Sequence, residues 1–201
     1  MTKTIIFAVI STIACCSLAF AADQSATSEQ HCGNVEEAQT LVTLIKADPQ
    51  QQRSELRCNA LLTQLALEKA KVMAEHGLVM QNLNGSPNSH LRNGGYQLPD
   101  YYGGMMSNQV EAIAGGYHSA EEVWRAFKQS TAHRQHLLGE LTFYREQDEI
   151  GVGFFRDKNA PHVQYWVVYV SKGHRANQKT EFTSDQIPNK SMFESVLKTD
   201  K

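Results

Sequence analysis

The strongest periodicity in the chain lies between Asn59 and His76, where Leu61, Leu62, Leu65, Ala66, Lys69, Val72 and Met73 recur at three- and four-residue spacing. That spacing lines one face of a helix, and Gly77 supplies a residue able to stop it. Upstream, Asn34 can cap a shorter helix through about Ala47, with Leu41, Leu44 and Ile45 on one side. Pro49 and the run of glutamines after it end that pattern. Downstream, Ser119-Ala120-Glu121-Glu122 forms a capping box that opens a helix carrying Val123, Trp124 and Phe127. Ser130-Thr131 caps a further short helix through Leu138. The period then changes from helical to twofold. Ile150, Val152 and Phe154 alternate with glycines over 149–155, and 162–171 is rich in β-branched and aromatic residues. Together these two segments predict an antiparallel hairpin. Residues 81–108 hold Asn-Gly, Ser-Pro, paired glycines and tyrosines without periodicity. A loop of that length in a compact domain is either disordered or functional, and its aromatic content favours function.

The ends of the chain read differently. Residues 1–21 start with Lys3, continue as an apolar run and close on Ala19-Phe20-Ala21, the pattern of a secretory signal peptide. Ser11, Thr12 and Ser17 interrupt the run. It falls short of the ~20 apolar residues that a spanning helix needs, so no membrane span is expected in the mature chain. Residues 22–33 read as a flexible lead-in, and 173–201 as a polar tail with a short helix near 191–197. Export to a secreted or periplasmic location sets the redox conditions. Cys15 and Cys16 leave with the signal, and Cys32 with Cys58 is then most simply one structural disulfide. A redox or metal pair would be better supported by CxxC spacing, which is absent. The 201-residue chain carries 19 Lys plus Arg against 21 Asp plus Glu, so length allows one domain and charge gives no basic excess. Nucleic acid is therefore not an expected partner.

Taken in order, several short elements from Cys58 to Lys172 resemble the CAP superfamily, also called the SCP domain, and most closely its small bacterial secreted members. They are the helix LLTQLALEKAKVMAEHG, the RNGGY segment, Glu111-Ala112-Ile113-Ala114 in the manner of a GENIA element, and Trp124. Ser130-Thr131-Ala132-His133-Arg134 is similar to SPGHR, and Ile150-Gly151-Val152-Gly153 and Tyr165-Trp166 match the family's IGVG and YW strands. The resemblance implies an α+β fold over residues 34–172: a three-layer α-β-α sandwich with a small antiparallel sheet and a surface cleft. In the family two His and two Glu line that cleft and in several members hold a divalent metal. Glu111 falls on the first Glu and His133 on the bacterial His, whereas Gln81 stands at the other His and Phe127 at the second Glu.

Two ligands fall short of the three that a hydrolytic zinc site uses. Within the expected loop, His90 could replace the missing His, and His76 is a further candidate. A Gln81 amide oxygen suits calcium or magnesium better than zinc. Tyr96, Tyr101 and Tyr102 are either a lid packed on the sheet or an aromatic wall for a ligand. His118, His162 and His174 read as surface or flanking residues, and His136 beside His133 as one exposed and one semi-buried residue of a helical pair. Two function classes follow. One is a non-catalytic module that binds a lipid-like, sterol-like or envelope-derived ligand, or a partner protein, through the cleft. The other is a divalent-metal-assisted hydrolase using Glu111 and His133. The incomplete ligand set favours the first.

Overall fold

A computed structural model of the protein describes residues 32–103, 107–173, 182, 186–188 and 196–197. The expected signal peptide, the lead-in before Cys32, and His174 lie outside the described residues. The elements are α1 (Glu36–Ala47), β1 (Arg57–Cys58), α2 (Ala60–His76), α3 (Pro87–Asn93), β2 (Glu111–Gly115) and α4 (Ala120–Gln129). They continue with α5 (Thr131–Leu138), α6 (Thr142–Arg145), β3 (Glu149–Arg156), β4 (Gln164–Ser171) and β5 (Val196–Leu197).

One sheet runs in the order β1-β3-β4-β2-β5. Its centre is antiparallel, as the hairpin of β3 and β4 and the pairing of β2 with β4 require. Its edges differ from the expectation of a wholly antiparallel sheet. β1 lies parallel to β3 and β5 parallel to β2, so the sheet is mixed. The connection from β1 to β3 passes through several helices and β2, which is ample for a strand to return in the same sense. At the tail, Val196–Leu197 is a strand rather than part of a helix; residues 191–195 lie outside the described residues.

The twofold period of the strands sorts their side chains into two cores, giving an α+β fold with helices on both faces. Ala112, Ala114, Ile150, Val152, Trp166 and Val168 pack with α1, α4 and α5. Ile113, Tyr165, Val167 and Tyr169 pack with α2 and α3 and with Phe143 and Tyr144 of α6. Gly151 and Gly153 explain why α2 lies so close to the sheet. A Cβ on Gly151 would overlap Leu62 and Thr63, and one on Gly153 would overlap the backbone of Ala66 and Leu67. Here the glycines serve close approach between layers.

The local signals for α2 act as expected. Asn59 Oδ1 accepts from Leu62 N at 3.1 Å, and Gly77 ends the helix in the left-handed region at φ 65°. Ser119 and Ser130 likewise cap α4 and α5 by accepting from Glu122 N and His133 N. Asn34 does something else. Helix α1 starts two residues later without a side-chain cap, and Asn34 instead exchanges two hydrogen bonds with the Phe154 backbone of β3, at 2.8 and 3.0 Å. The loop expected over 81–108 contains α3, opened by Ser86 at the cap and Pro87 in the first turn. Cys32 and Cys58 form the disulfide, with Cα atoms 4.6 Å apart. Just after Cys32, Gly33 bridges to Val152, so the end of the lead-in is held against the sheet.

Candidate functional site

Glu111 opens β2 directly opposite Tyr169 of β4, on the face covered by α2. Only 1% of its surface is exposed. The Tyr169 hydroxyl donates to Glu111 Oε2 at 2.7 Å, while Oε1 accepts no hydrogen bond among the described residues. Asn108 fixes the backbone there, with Oδ1 accepting from Glu111 N and Nδ2 donating to Glu111 O. Burial pushes the Glu111 carboxyl up to about 7, against the opposing pull of the Lys69 charge and the Tyr169 hydrogen bond.

Lys69 is the residue that the family pattern does not supply. It sits on the buried side of α2, 2% exposed, and its Nζ donates to Gln81 O at 2.7 Å and Leu83 O at 3.0 Å. Burial lowers its pKa and Glu111 holds it up. The ammonium thus ties the segment after α2 to the layer where Glu111 is buried. Gln81 is buried as well. His90 belongs to α3 rather than to a loop; its ring stacks on Tyr169 at 6.1 Å and its Nε2 lies 3.2 Å from Leu65 O. Burial lowers the His90 pKa, which favours the neutral ring. Gln81, His90 and Glu111 are therefore gathered on one side of the sheet, around Lys69 and Tyr169.

His133 lies on α5. It is fully buried, and its ring meets Phe127 edge-on at 5.1 Å, in the layer that packs on Ala112 and Ala114. Phe127 stands beside His133 and brings a ring to the position where the resemblance sets a second carboxylate. The expected contrast between His133 and His136 is absent, because both are buried. His136 packs on Tyr144 at 4.9 Å with Nε2 3.3 Å from Val170 O. Burial first, then the Arg53 charge, push its pKa down to about 3. His76 lies exposed at the end of α2 with Nδ1 on Val72 O, and His118 is exposed before α4.

The residues present do not fit a metal ion. Among the described residues no three His, Cys, Asp or Glu side chains gather within reach of one ion. The three tyrosines pack on the α2 side of the sheet. Tyr96 is buried and its hydroxyl reaches Glu149 Oε2 at 2.9 Å and Lys172 O at 3.1 Å. Tyr102 is buried against Phe143 and accepts from Gln147 Nε2. Tyr101 is half-buried among Tyr102, Phe143 and Phe182. Open apolar surface occurs elsewhere, at Leu78 and Met80, 45% and 47% exposed, between α2 and Gln81.

No family model and no curated protein matches the chain. Among solved structures, the fold is similar to that of an outer surface protein from Borrelia burgdorferi, at 18% sequence identity and a TM-score of 0.51. The match covers 67% of this chain and 90% of that one. Likeness at that identity speaks for the fold alone. Among the described residues, no helix is long and apolar enough to cross a membrane.

Proposed function

We propose that the chain is an exported CAP/SCP-like domain acting as a non-catalytic binding module for a lipid-like or envelope-derived apolar ligand. The observation that carries this reading is the burial of Glu111 and His133, 1% and 0% exposed, which leaves neither group open to substrate. The order of sequence elements and the disulfide support the family and the export. The fold neighbour is itself an outer surface protein, which agrees with a place outside the cytoplasm.

The apolar side chains at Leu78 and Met80 supply the surface that a ligand of this class needs. Both lie just before Gln81 in the chain, next to a residue expected to line the cleft. The hydrolase reading has one observation in its favour, a Glu111 carboxyl poised near neutral pH. A buried acid without access for water or substrate does not make a general base.

The test is equilibrium binding of fluorescent sterol and fatty-acid probes to the chain from Ala22, compared with Leu78→Ser/Met80→Ser. Titration with zinc, copper and calcium runs in parallel on the same chain and on Glu111→Ala/His133→Ala. Saturable probe binding that weakens in the Leu78/Met80 variant is the expected result. Stoichiometric metal binding lost in the Glu111/His133 variant, together with peptidase or esterase turnover, would put the hydrolase first.

A further inference from the structure

A groove of about 450 Å³ runs along the extended segment between α1 and β1, lined by Lys46, Arg53, Ser54, Glu55 and Arg57 among others. It shares no lining residue with Glu111, His133 or the tyrosines. Arg53 is only 8% exposed, yet among the described residues no carboxylate pairs with it. Its guanidinium donates instead to carbonyl oxygens at the C-terminal end of α5: Nη1 to Leu137 O at 2.9 Å and Nη2 to His136 O at 2.6 Å. A third bond goes from Nη1 to Gln51 Oε1 at 3.1 Å, and Nε is buried without an acceptor among the described residues.

Carbonyl dipoles at a helix end carry only part of a negative charge, so they satisfy donors without neutralising the cation. Burial accordingly pushes the Arg53 pKa down to about 9, against the opposing charges of Tyr102, Asp148 and Tyr144. Arg57, on the same groove, has its charge matched by Asp148 at 2.8 Å and Glu149 at 3.3 Å. Lys46, exposed in the last turn of α1, has no such partner among the described residues. Glu55 is the one carboxylate on the groove wall among the described residues, and it is exposed. The balance on the wall is Arg57 in direct ion pairs, Arg53 opposed only at longer range by Asp148, Lys46 without a carboxylate partner among the described residues, and one solvated acid.

We infer that this groove binds a small oxyanion, a phosphate or carboxylate group, held between Lys46 and the buried charge of Arg53, which among the described residues has no carboxylate at ion-pair distance, with the Ser54 hydroxyl beside them. Partial burial of the site reduces screening and favours a negative guest over water. This assignment is independent of the proposed function, since it uses a different surface and needs no apolar ligand.

The experiment is a nitrogen–proton correlation titration of the chain from Ala22 with inorganic phosphate and, separately, with succinate, at ionic strength held constant by chloride. Saturable shifts confined to residues 46 and 51–58 are expected, with the two titrants telling phosphate from carboxylate preference. Lys46→Glu should weaken binding about fivefold or more, because reversing an exposed charge alters attraction by about 1 kcal/mol. Glu55→Gln should strengthen it, and Lys71→Glu, on the exposed side of α2 outside the groove, should leave it unchanged. Arg53→Met, checked for native dispersion first, should abolish saturation. Since Arg53 also closes the end of α5, the exposed Lys46 and Glu55 variants decide the matter if that protein unfolds. The assignment is overturned by shifts equal to those from chloride alone, or by binding that Lys46→Glu and Glu55→Gln leave unaltered.

Discussion

Tyr169 and Glu111 face each other across β4 and β2, and the phenol hydroxyl donates to the carboxyl at 2.7 Å in a fully buried setting. The pair is the only hydrogen bond to that carboxyl among the described residues. Tyr169→Phe should therefore leave a buried acid with no donor, at a cost of ~1–3 kcal/mol in urea unfolding. Glu111→Gln keeps an acceptor for the phenol and should cost less. Equal losses in the two variants would mean that the hydrogen bond contributes little.

Protonation of Glu111 gives the second expectation. Burial raises its pKa from an ordinary 4.5 to about 7 in the folded protein. Between those values the folded state keeps a proton that the unfolded state has released. Its contribution to stability is complete below pH 4.5 and is lost as pH rises through 7, a swing on the order of 3 kcal/mol. His136 acts in the opposite sense, because its pKa falls to about 3 and its share of stability is lost toward acid. The readout is consequently the difference between the parent chain and Glu111→Gln across pH 4 to 8. That difference should shift in favour of the Gln variant as pH rises.

The approach of α2 to the sheet gives the third. Ala66 and Leu67 leave no room for a side chain at Gly153. Gly153→Val must push the helix outward through both packed layers, and overpacking of this kind costs ~1–3 kcal/mol or more. A thermal midpoint unchanged from the parent would show that the layers are looser than this packing implies.

The features that were legible in the sequence are those whose causes are local. Helix α2 carries its cap at Asn59 and its stop at Gly77, and the hairpin carries its own alternation, so both stand where the pattern puts them. Asn34 misled because its amide is satisfied by Phe154, 120 residues away, and nothing near Asn34 announces that partner. Helix α3 had a readable start in Ser86-Pro87, masked by the glycines around it. At the site, Glu111 and His133 were nameable by resemblance, but the face that Glu111 takes depends on the parity of β2, which a two-residue period would reveal only once the strand is assigned. Lys69 left a direct trace: it is the one charge in the apolar stripe of α2.

The disulfide yields the fourth expectation. Cys32 and Cys58 are 26 residues apart in sequence and join the start of the described chain to edge strand β1. On the chain-entropy account, opening a loop of that size costs ~3–4 kcal/mol. Cys32→Ser/Cys58→Ser should lose that much in urea unfolding, and reductant should lower the parent to the same level. Reductant that lowers the double variant equally would point to another cause.

Lys69 supplies the last expectation, because it is both a charge near Glu111 and a donor to the segment after α2. Lys69→Met keeps the length and apolar stem while removing the ammonium. The carbonyls of Gln81 and Leu83 then lose a charged donor, and each such bond contributes ~1.5–3 kcal/mol. Removing a buried ammonium also removes its desolvation cost, which offsets part of that loss. The net change in global stability should thus be smaller than the local one. Hydrogen exchange is the measurement that separates them: amides in 78–86 should exchange faster in the variant, while those of β3 and β4 keep their protection. At the same time the Glu111 carboxyl, freed from the pull of a nearby cation, should titrate above its parent value of about 7. A carboxyl that titrates unchanged, with 78–86 still protected, would show that Lys69 neither holds that segment nor sets the charge state of Glu111.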